Sequence, residues 1–283
     1  MFKELSNEAK LSFVLHTKSP LSIRNQKTNV MDPTLPDMQC MRSRYHGMDT
    51  VIIPGSSLKG VIRSRYEKIV NLFEGKCCNV VDRYDACKVS EQFSYEERGK
   101  KVYEKVCPAC QLFGSTSIGA RIRFTDAYPM SSPVIGERNG VGINRITGAA
   151  QRGALYDFEV VEEGSFHVEI FLQNYELYQL VLLLYVLKDL DEGYVTVGGA
   201  TTRGNGRLEL TDFDIEFREY RKNVNCLKDI KGETAFENNE RYSFNFNWEP
   251  LFYGKVNLKV TLDELINELK TVDVRGKVQN NRK

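Results

Sequence analysis

Five of the seven cysteines fall between Cys77 and Cys110, and this is the densest chemistry in the chain. Cys107-Pro108-Ala109-Cys110 is a tight knuckle that sets two thiolates on one metal ion. Cys87, with Cys78 or with Cys77 in its place, completes the four sulfur ligands of a tetrahedral zinc site. The surrounding insertion, about residues 75–112, is too polar to close by core burial, so a structural metal explains it better than inert thiols do. A redox role for the knuckle lacks the flanking βαβ pattern.

A second kind of chemistry is anion binding. In TVIIPGSSLKGVIRSRYEKIV, Val51, Ile52 and Ile53 read as a short buried strand that Pro54 ends. Gly55 allows a turn or a close backbone approach, and Ser56 or Ser57 is placed to cap a helix. Leu58, Val61, Ile62, Tyr66, Ile69, Val70 and Phe73 form its apolar stripe, with Lys59, Arg63 and Arg65 off it. A strand, a glycine turn and a helix N-terminus beside cations suit phosphate; the same pattern also occurs as plain structure. Downstream, GGATTRGNGRLEL holds Gly198, Gly199, Gly204 and Gly206 with Arg203 and Arg207. Such a loop can form an anion nest or a simple hairpin. Its spacing fits neither a dinucleotide fingerprint nor a P-loop.

The elements that must position these groups follow from periodicity. Residues 9–17 alternate as a strand, with His16 in a structural role. Residues 24–50 show no sustained period and read as a loop carrying Asp32, Asp37, Arg42, Arg44 and His46. Ala120–Ala127 reads as a strand, with Arg121, Arg123 and Thr125 on one face and Ile122 and Phe124 on the other. Residues 137–156, with Arg138, Arg145 and Arg152 among four glycines, read as a long basic hairpin. Strands at Tyr156–Val161 and Ser165–Leu172, a helix at Tyr175–Leu190 and a short strand at Tyr194–Val197 follow. The C-terminal part holds a strand near Lys255–Val260, a helix at Leu262–Leu269 and a polar tail, KVQNNRK, expected to fray.

At 283 residues with net charge +1, the chain carries no global basic signature. Between Lys18 and Arg65, however, eight Lys/Arg face three Asp. A local basic face of this kind serves a phosphate backbone. No apolar run reaches bilayer length, and MFKELSNEAK lacks a signal-peptide core, so a cytoplasmic, membrane-free protein is expected.

Four motifs in series, IPGSSLKGVIRSRYE, CPACQLFGS, RNGVGINRITGAA and VGGATTRGNGRLEL, resemble the RAMP superfamily of CRISPR-associated proteins. They are most similar to the repeating backbone subunit of type III, type III-D-like, effector complexes of antiviral defence. The resemblance spans about residues 8–215 and implies an α+β fold. Its core is ferredoxin-like (RRM-like), with a loop/zinc insertion and a β-hairpin thumb over about residues 131–160. Residues 1–220 would be the RNA-binding domain, and 221–283 an extension packed on it.

The resemblance also implies a prokaryotic subunit that holds a CRISPR guide RNA through its backbone while base pairing reads the target. Its partners would be complementary target RNA, other RAMP-family subunits and the large signalling subunit of the complex. Arg24, Arg42, Ser56, Ser57, Lys59, Arg63, Arg138, Arg145, Gly198, Gly199, Arg203, Gly204 and Gly206 are the expected RNA contacts. Catalytic relatives cut the target RNA with a loop aspartate. Asp37 fits that position because Arg42 and Gly47 follow at the family's spacings; Asp32 is the second candidate. Cleavage would use Mg²⁺ or another divalent cation, beside structural Zn²⁺. Many relatives have a histidine and then a glycine just after the proline–leucine that ends the first strand. Here Ser22-Ile23-Arg24 follows Pro20-Leu21, and this keeps a non-catalytic guide-binding subunit as the alternative. A stand-alone enzyme acting on a small phosphorylated metabolite is the remaining reading, and it leaves the basic arm and the cysteines without a use.

Overall fold

Alternation in the first strand sets the architecture of the computed structural model. The structure describes residues 4–25, 36–79, 81–82, 86–89, 93–94, 98–221, 226–237 and 254–280. In β1 (Asn7–Thr17), Ala9, Leu11, Phe13 and Leu15 point into the core. The chain continues through β2 (Arg42–Tyr45), β3 (Met48–Val51), α1 (Gly55–Leu72), α2 (Arg98–Lys105) and α3 (Pro108–Phe113). Then come β4 (Ile122–Phe124), β5 (Tyr128–Pro129), β6 (Val134–Ile143), β7 (Ala150–Glu163), β8 (Ser165–Gln173) and α4 (Leu177–Asp191). The last elements are β9 (Leu208–Glu219), β10 (Cys226–Lys228), β11 (Thr234–Glu237), β12 (Gly254–Leu258), α5 (Leu262–Glu268) and α6 (Val274–Asn280).

The main sheet runs β12-β9-β1-β8-β4, with β5 also on β8, and its strand pairs are antiparallel. Without β12, the order β9-β1-β8-β4 with α1 and α4 as crossovers is the ferredoxin-like βαββαβ arrangement. The two helices cover one face. Leu58, Ile62, Tyr66 and Val70 of α1 and eleven residues of α4 are buried. A helix apolar on nearly all sides must be enclosed, and each fully buried Leu or Val there contributes roughly 1.5–3 kcal/mol. The insertions all leave this frame: β2–β3 before α1, the cysteine segment after it, and the β6–β7 hairpin between β5 and β8. Among the described residues, no helix is long and apolar enough to cross a membrane.

Several local expectations change. The 24–50 stretch is not loop throughout, because β2 and β3 pair as a hairpin around His46–Gly47. Its strands are only four residues each, too short for an alternation signal. Val51 ends β3, and Ile53 bridges separately to Ala127. Tyr194–Val197 forms no strand, because Val195 and Val197 donate instead to the Asp189 and Gly206 carbonyls. Arg121 does not share an exposed face with Arg123; it is buried, over the Tyr103 ring at 3.8 Å. The tail is helical as far as Asn280, since buried Val278 anchors it and Lys277 pairs with Glu233.

Candidate functional site

The cysteine knuckle starts a helix. Cys107 is extended at the N-cap of α3 and Pro108 follows at N1, where its missing N–H costs nothing. The Sγ atoms of Cys78, Cys87, Cys107 and Cys110 all lie within 4.8 Å of one another. Cys78 lies 3.5 Å from Cys110 and 3.8 Å from Cys107. A tetrahedral site with zinc–sulfur bonds of about 2.3 Å has sulfur edges of about 3.8 Å, so the four thiols fit a zinc ion. Cys77 also reaches Cys107, at the border of this group. Hydrogen bonds from Cys110, Cys77 and Cys87 hold the Cys107 sulfur far below the thiol range. Its bond to Cys107 raises the Cys110 thiol, and the Cys87 thiol is pushed up to about 12 for the same reason. Arg63, an expected RNA contact, serves this centre: its Nη2 donates to Cys110 Sγ at 3.4 Å and its Nη1 to the Gly114 carbonyl at 3.0 Å.

The second centre is where the hairpin β6–β7 leaves the core. Met38 bridges Phe158 of β7, and the Glu159 N–H donates to the Met38 carbonyl at 2.9 Å. One residue earlier, the exposed Asp37 donates its N–H to Asp157 Oδ1 at 2.7 Å, and the Asp157 N–H returns to Asp37 Oδ2 at 3.4 Å. Backbone pairing therefore sets the Asp37 carboxylate against the thumb strand. Glu159 is buried, accepts from the Cys40 N–H at 2.7 Å and from Arg42 Nη1 at 2.8 Å, and also bonds Arg42 Nη2. That bond raises the Arg42 pKa above its ordinary value. Asp32 lies outside the described residues.

The glycine loop closes on the same place. Its backbone is stitched to the end of the first strand segment: Gly206 N–H donates to the Pro20 carbonyl at 2.8 Å and Gly199 N–H to the Ser22 carbonyl at 2.7 Å. Only glycine fits at 206, where φ is +85° and a Cβ would lie 2.1 Å from the Val197 carbonyl oxygen. Thr201–Arg203 form a 3-10 turn ending at Gly204. Arg203 Nη1 donates to the Tyr156 hydroxyl at 2.8 Å, and Arg138 Nη1 to Asn205 Oδ1 at 3.3 Å, tying the loop to the thumb. Arg24 stacks on Phe158 at 4.2 Å and donates through Nε to Ser22 Oγ. Arg24, Arg138 and Arg203 thus converge with Asp37 around the thumb base. Arg145 is exposed near the far end of the hairpin.

The start of α1 is arranged differently. Neither Ser56 nor Ser57 caps it; Pro54 is the N-cap residue, without a side-chain bond. Gly55 N–H donates to Asp126 Oδ1 at 2.8 Å, so a carboxylate of the chain itself sits on this helix end. Gly55 packs so closely that a Cβ would meet the Phe124 and Thr125 carbonyl oxygens at 2.8 Å each. Lys59 is half-buried, and burial together with Arg63 lowers its pKa.

Asp157, Glu159, Tyr156, Asn205 and Asp126 were not singled out from sequence. Two carboxylates at 157 and 159, on one face of a strand, are the signal that could have marked the thumb base. Nothing local marks Asp126 as the partner of a residue 71 positions away.

No curated protein matches the chain. The family model for the RAMP superfamily matches residues 15–209, which runs from the end of β1 to the start of β9 and leaves out the C-terminal elements. The chain belongs to the RAMP superfamily of CRISPR-associated proteins and is an RNA-binding subunit that assembles with other Cas subunits.

Proposed function

We propose that the chain is the guide-RNA-binding backbone subunit of a type III, type III-D-like, effector complex, and that it cuts complementary target RNA through Asp37. The observation that carries this reading is the exposed Asp37 carboxylate fixed by Asp157 to the base of a basic hairpin. Residues 1–220 act as the RNA-binding unit, and 221–283 as an extension on it. Guide phosphates lie along Arg24, Arg138, Arg145, Arg203 and the Gly198–Gly206 loop, with Lys59, Ser56 and Ser57 at the margin. The large signalling subunit completes the assembly, in a prokaryotic cytoplasm.

Cleavage is attack of a ribose 2′-OH on the adjacent phosphate, which forms a 2′,3′-cyclic phosphate as the P–O5′ bond breaks and the leaving 5′-oxygen takes a proton from water. Asp37 orients that hydroxyl and receives its proton. The hairpin holds the RNA kinked, so that oxygen and phosphorus can align in line, which a regular helix does not offer. Arg24 and Arg203 lie close enough to the thumb base to face the charge that builds on the phosphate. Arg42 is less suited, because Glu159 neutralises it. Asp37 beside Asp157 presents carboxylate oxygens of the kind Mg²⁺ takes, and the ion would supply charge neutralisation there.

The test is cleavage of labelled complementary RNA by the assembled complex in Mg²⁺. Asp37→Ala is expected to slow cutting by about a hundredfold or more while guide binding persists. Asp32→Ala should cut normally; the reverse result would place the catalytic aspartate five residues earlier. A wild-type complex that binds guide and target without cutting establishes the non-catalytic subunit, a reading favoured by the run Ser22-Ile23-Arg24 after Pro20-Leu21, where many relatives carry a histidine and then a glycine.

A further inference from the structure

We propose that the β2–β3 hairpin and β5 form a stacking site for one unpaired RNA nucleobase bearing an exocyclic amino group. The inference rests on the family's RNA binding and adds a contact away from the thumb base. Tyr45 of β2 stacks on Tyr128 of β5, with ring centroids 4.3 Å apart and planes inclined by 20°. The His46 ring stands edge-on to Tyr45 at 4.1 Å. This aromatic group is not enclosed: Tyr45 is 40% exposed and the neighbouring Met48 and Met130 are 70% and 63% exposed. Flat rings with accessible surface are what single-stranded RNA uses to stack its bases.

A pocket of about 390 Å³ opens beside the two tyrosines, and Thr125, Asp126, His167 and Glu169 also line it. Among the described residues, no lysine or arginine lines it. Glu169 is paired with Lys10, whereas Asp126 is held by a backbone N–H and keeps its negative charge. Carboxylate oxygens of this kind accept hydrogen bonds from amino groups, and the Asp126 charge disfavours a phosphate, so the pocket suits a base better than the backbone. Both carboxylates are held in place, Asp126 by the Gly55 N–H at 2.8 Å and Glu169 by Lys10. Fixed acceptors lose little freedom on binding. The cations lie outside the pocket: Arg42 and the exposed Arg44 belong to the same hairpin. That hairpin follows directly on the Asp37 segment, and Ile53 just beyond it bridges to Ala127, next to Tyr128. The thumb base and the pocket are thus joined through the β2–β3 hairpin and the Ile53–Ala127 bridge.

The experiment uses the full chain with labelled oligocytidine and oligouridine of equal length. Equal phosphate counts cancel the backbone contribution, leaving the cytosine amino group against the uracil carbonyl. Wild type should bind oligocytidine more tightly, by about tenfold. Tyr45→Ala should weaken oligocytidine binding by about fivefold to a hundredfold with its salt dependence unchanged, since stacking releases no counterions. Tyr45→Phe should retain both affinity and preference. Tyr45→Leu keeps an apolar side chain against Tyr128 for the hairpin to fold on, and should still lose affinity. Wild-type affinity in Tyr45→Leu, or equal wild-type binding of the two oligonucleotides, overturns the stacking site and leaves RNA binding standing. Failure of wild type to bind either oligonucleotide overturns both.

Discussion

The cysteine centre and the thumb base both join segments far apart in the chain, and they close by opposite means. Four like groups meet at Cys78, Cys87, Cys107 and Cys110, and like groups need a cation from outside to hold them. At the thumb base four arginines each meet an unlike group of the chain, Arg42 to Glu159, Arg24 to Phe158, Arg138 to Asn205 and Arg203 to Tyr156, and the like carboxylates of Asp37 and Asp157 are held by each other's backbone N–H. The partners also differ among themselves. Glu159 cancels the charge of Arg42, whereas Asn205, Tyr156 and Phe158 orient their arginines and leave the charge whole. A cation set by a neutral partner is ready for a phosphate; one set by a carboxylate is committed to the fold.

The sharpest way to break this comparison is to remove the metal. Cys107→Ser should abolish about one bound zinc per chain and lower thermal stability by more than any other variant considered, because metal binding there is folding energy. Cys226→Ser, outside the cluster, should do neither. RNA affinity of the remaining folded protein should hold, and a parallel loss of RNA binding would show that the two centres are not independent. Next in size is Arg42→Ala. It strands the buried Glu159 carboxylate, which should cost about 3 kcal/mol in urea unfolding. The salt dependence of RNA binding should stay as in wild type; a flatter slope would put Arg42 on a phosphate after all.

The difference between the two centres also explains what was legible in the sequence. The cysteines announce themselves because their ligands are one residue type and the knuckle needs two-residue spacing. The ferredoxin-like order came from the family resemblance, and the alternation of β1 and β8 and the apolar run of α4 were compatible with it. The hairpin β6–β7 was legible from its glycines and arginines. The thumb base was only partly so. Asp37 could be placed by its spacing to Arg42 and Gly47, but its partner Asp157 depends on strand register across 120 positions. Register comes from tertiary pairing and leaves no local trace. The turn at 54–57 shows the same limit, because the carboxylate that meets its Gly55 N–H, Asp126, comes from another strand connection.

A smaller effect sharpens the distinction between neutral and charged partners. Arg138→Ala combined with Arg203→Ala should weaken binding of any RNA sequence by about tenfold at moderate salt. The log–log salt slope should shrink by about 1.4, since each lost single-strand phosphate contact contributes about 0.7. A loss that depended on base sequence would mean that these arginines read bases.

Lys59 should give the smallest change, and its pH dependence identifies the cause. It is half-buried beside Arg63, and burial together with that positive charge lowers its pKa from the ordinary 10.5. The sign follows directly. A lysine whose folded pKa is depressed loses its proton sooner as pH rises, so any hold it has on a phosphate fades below the ordinary lysine range. By the same linkage the charged form is disfavoured by the fold, so this group makes the protein slightly less stable at neutral pH than at a pH above its folded pKa. At pH 7 the protonated amine should add less than one full phosphate contact, because the Asp126 carboxylate already sits on the end of α1 nearby. Lys59→Ala should therefore weaken RNA binding by about threefold or less at neutral pH. The gap between Lys59→Ala and wild type should close as pH rises toward 10, whereas Lys59→Arg should keep it open. If the gap stays constant through that range, Lys59 acts by packing along α1 and the phosphate path runs through the thumb base alone.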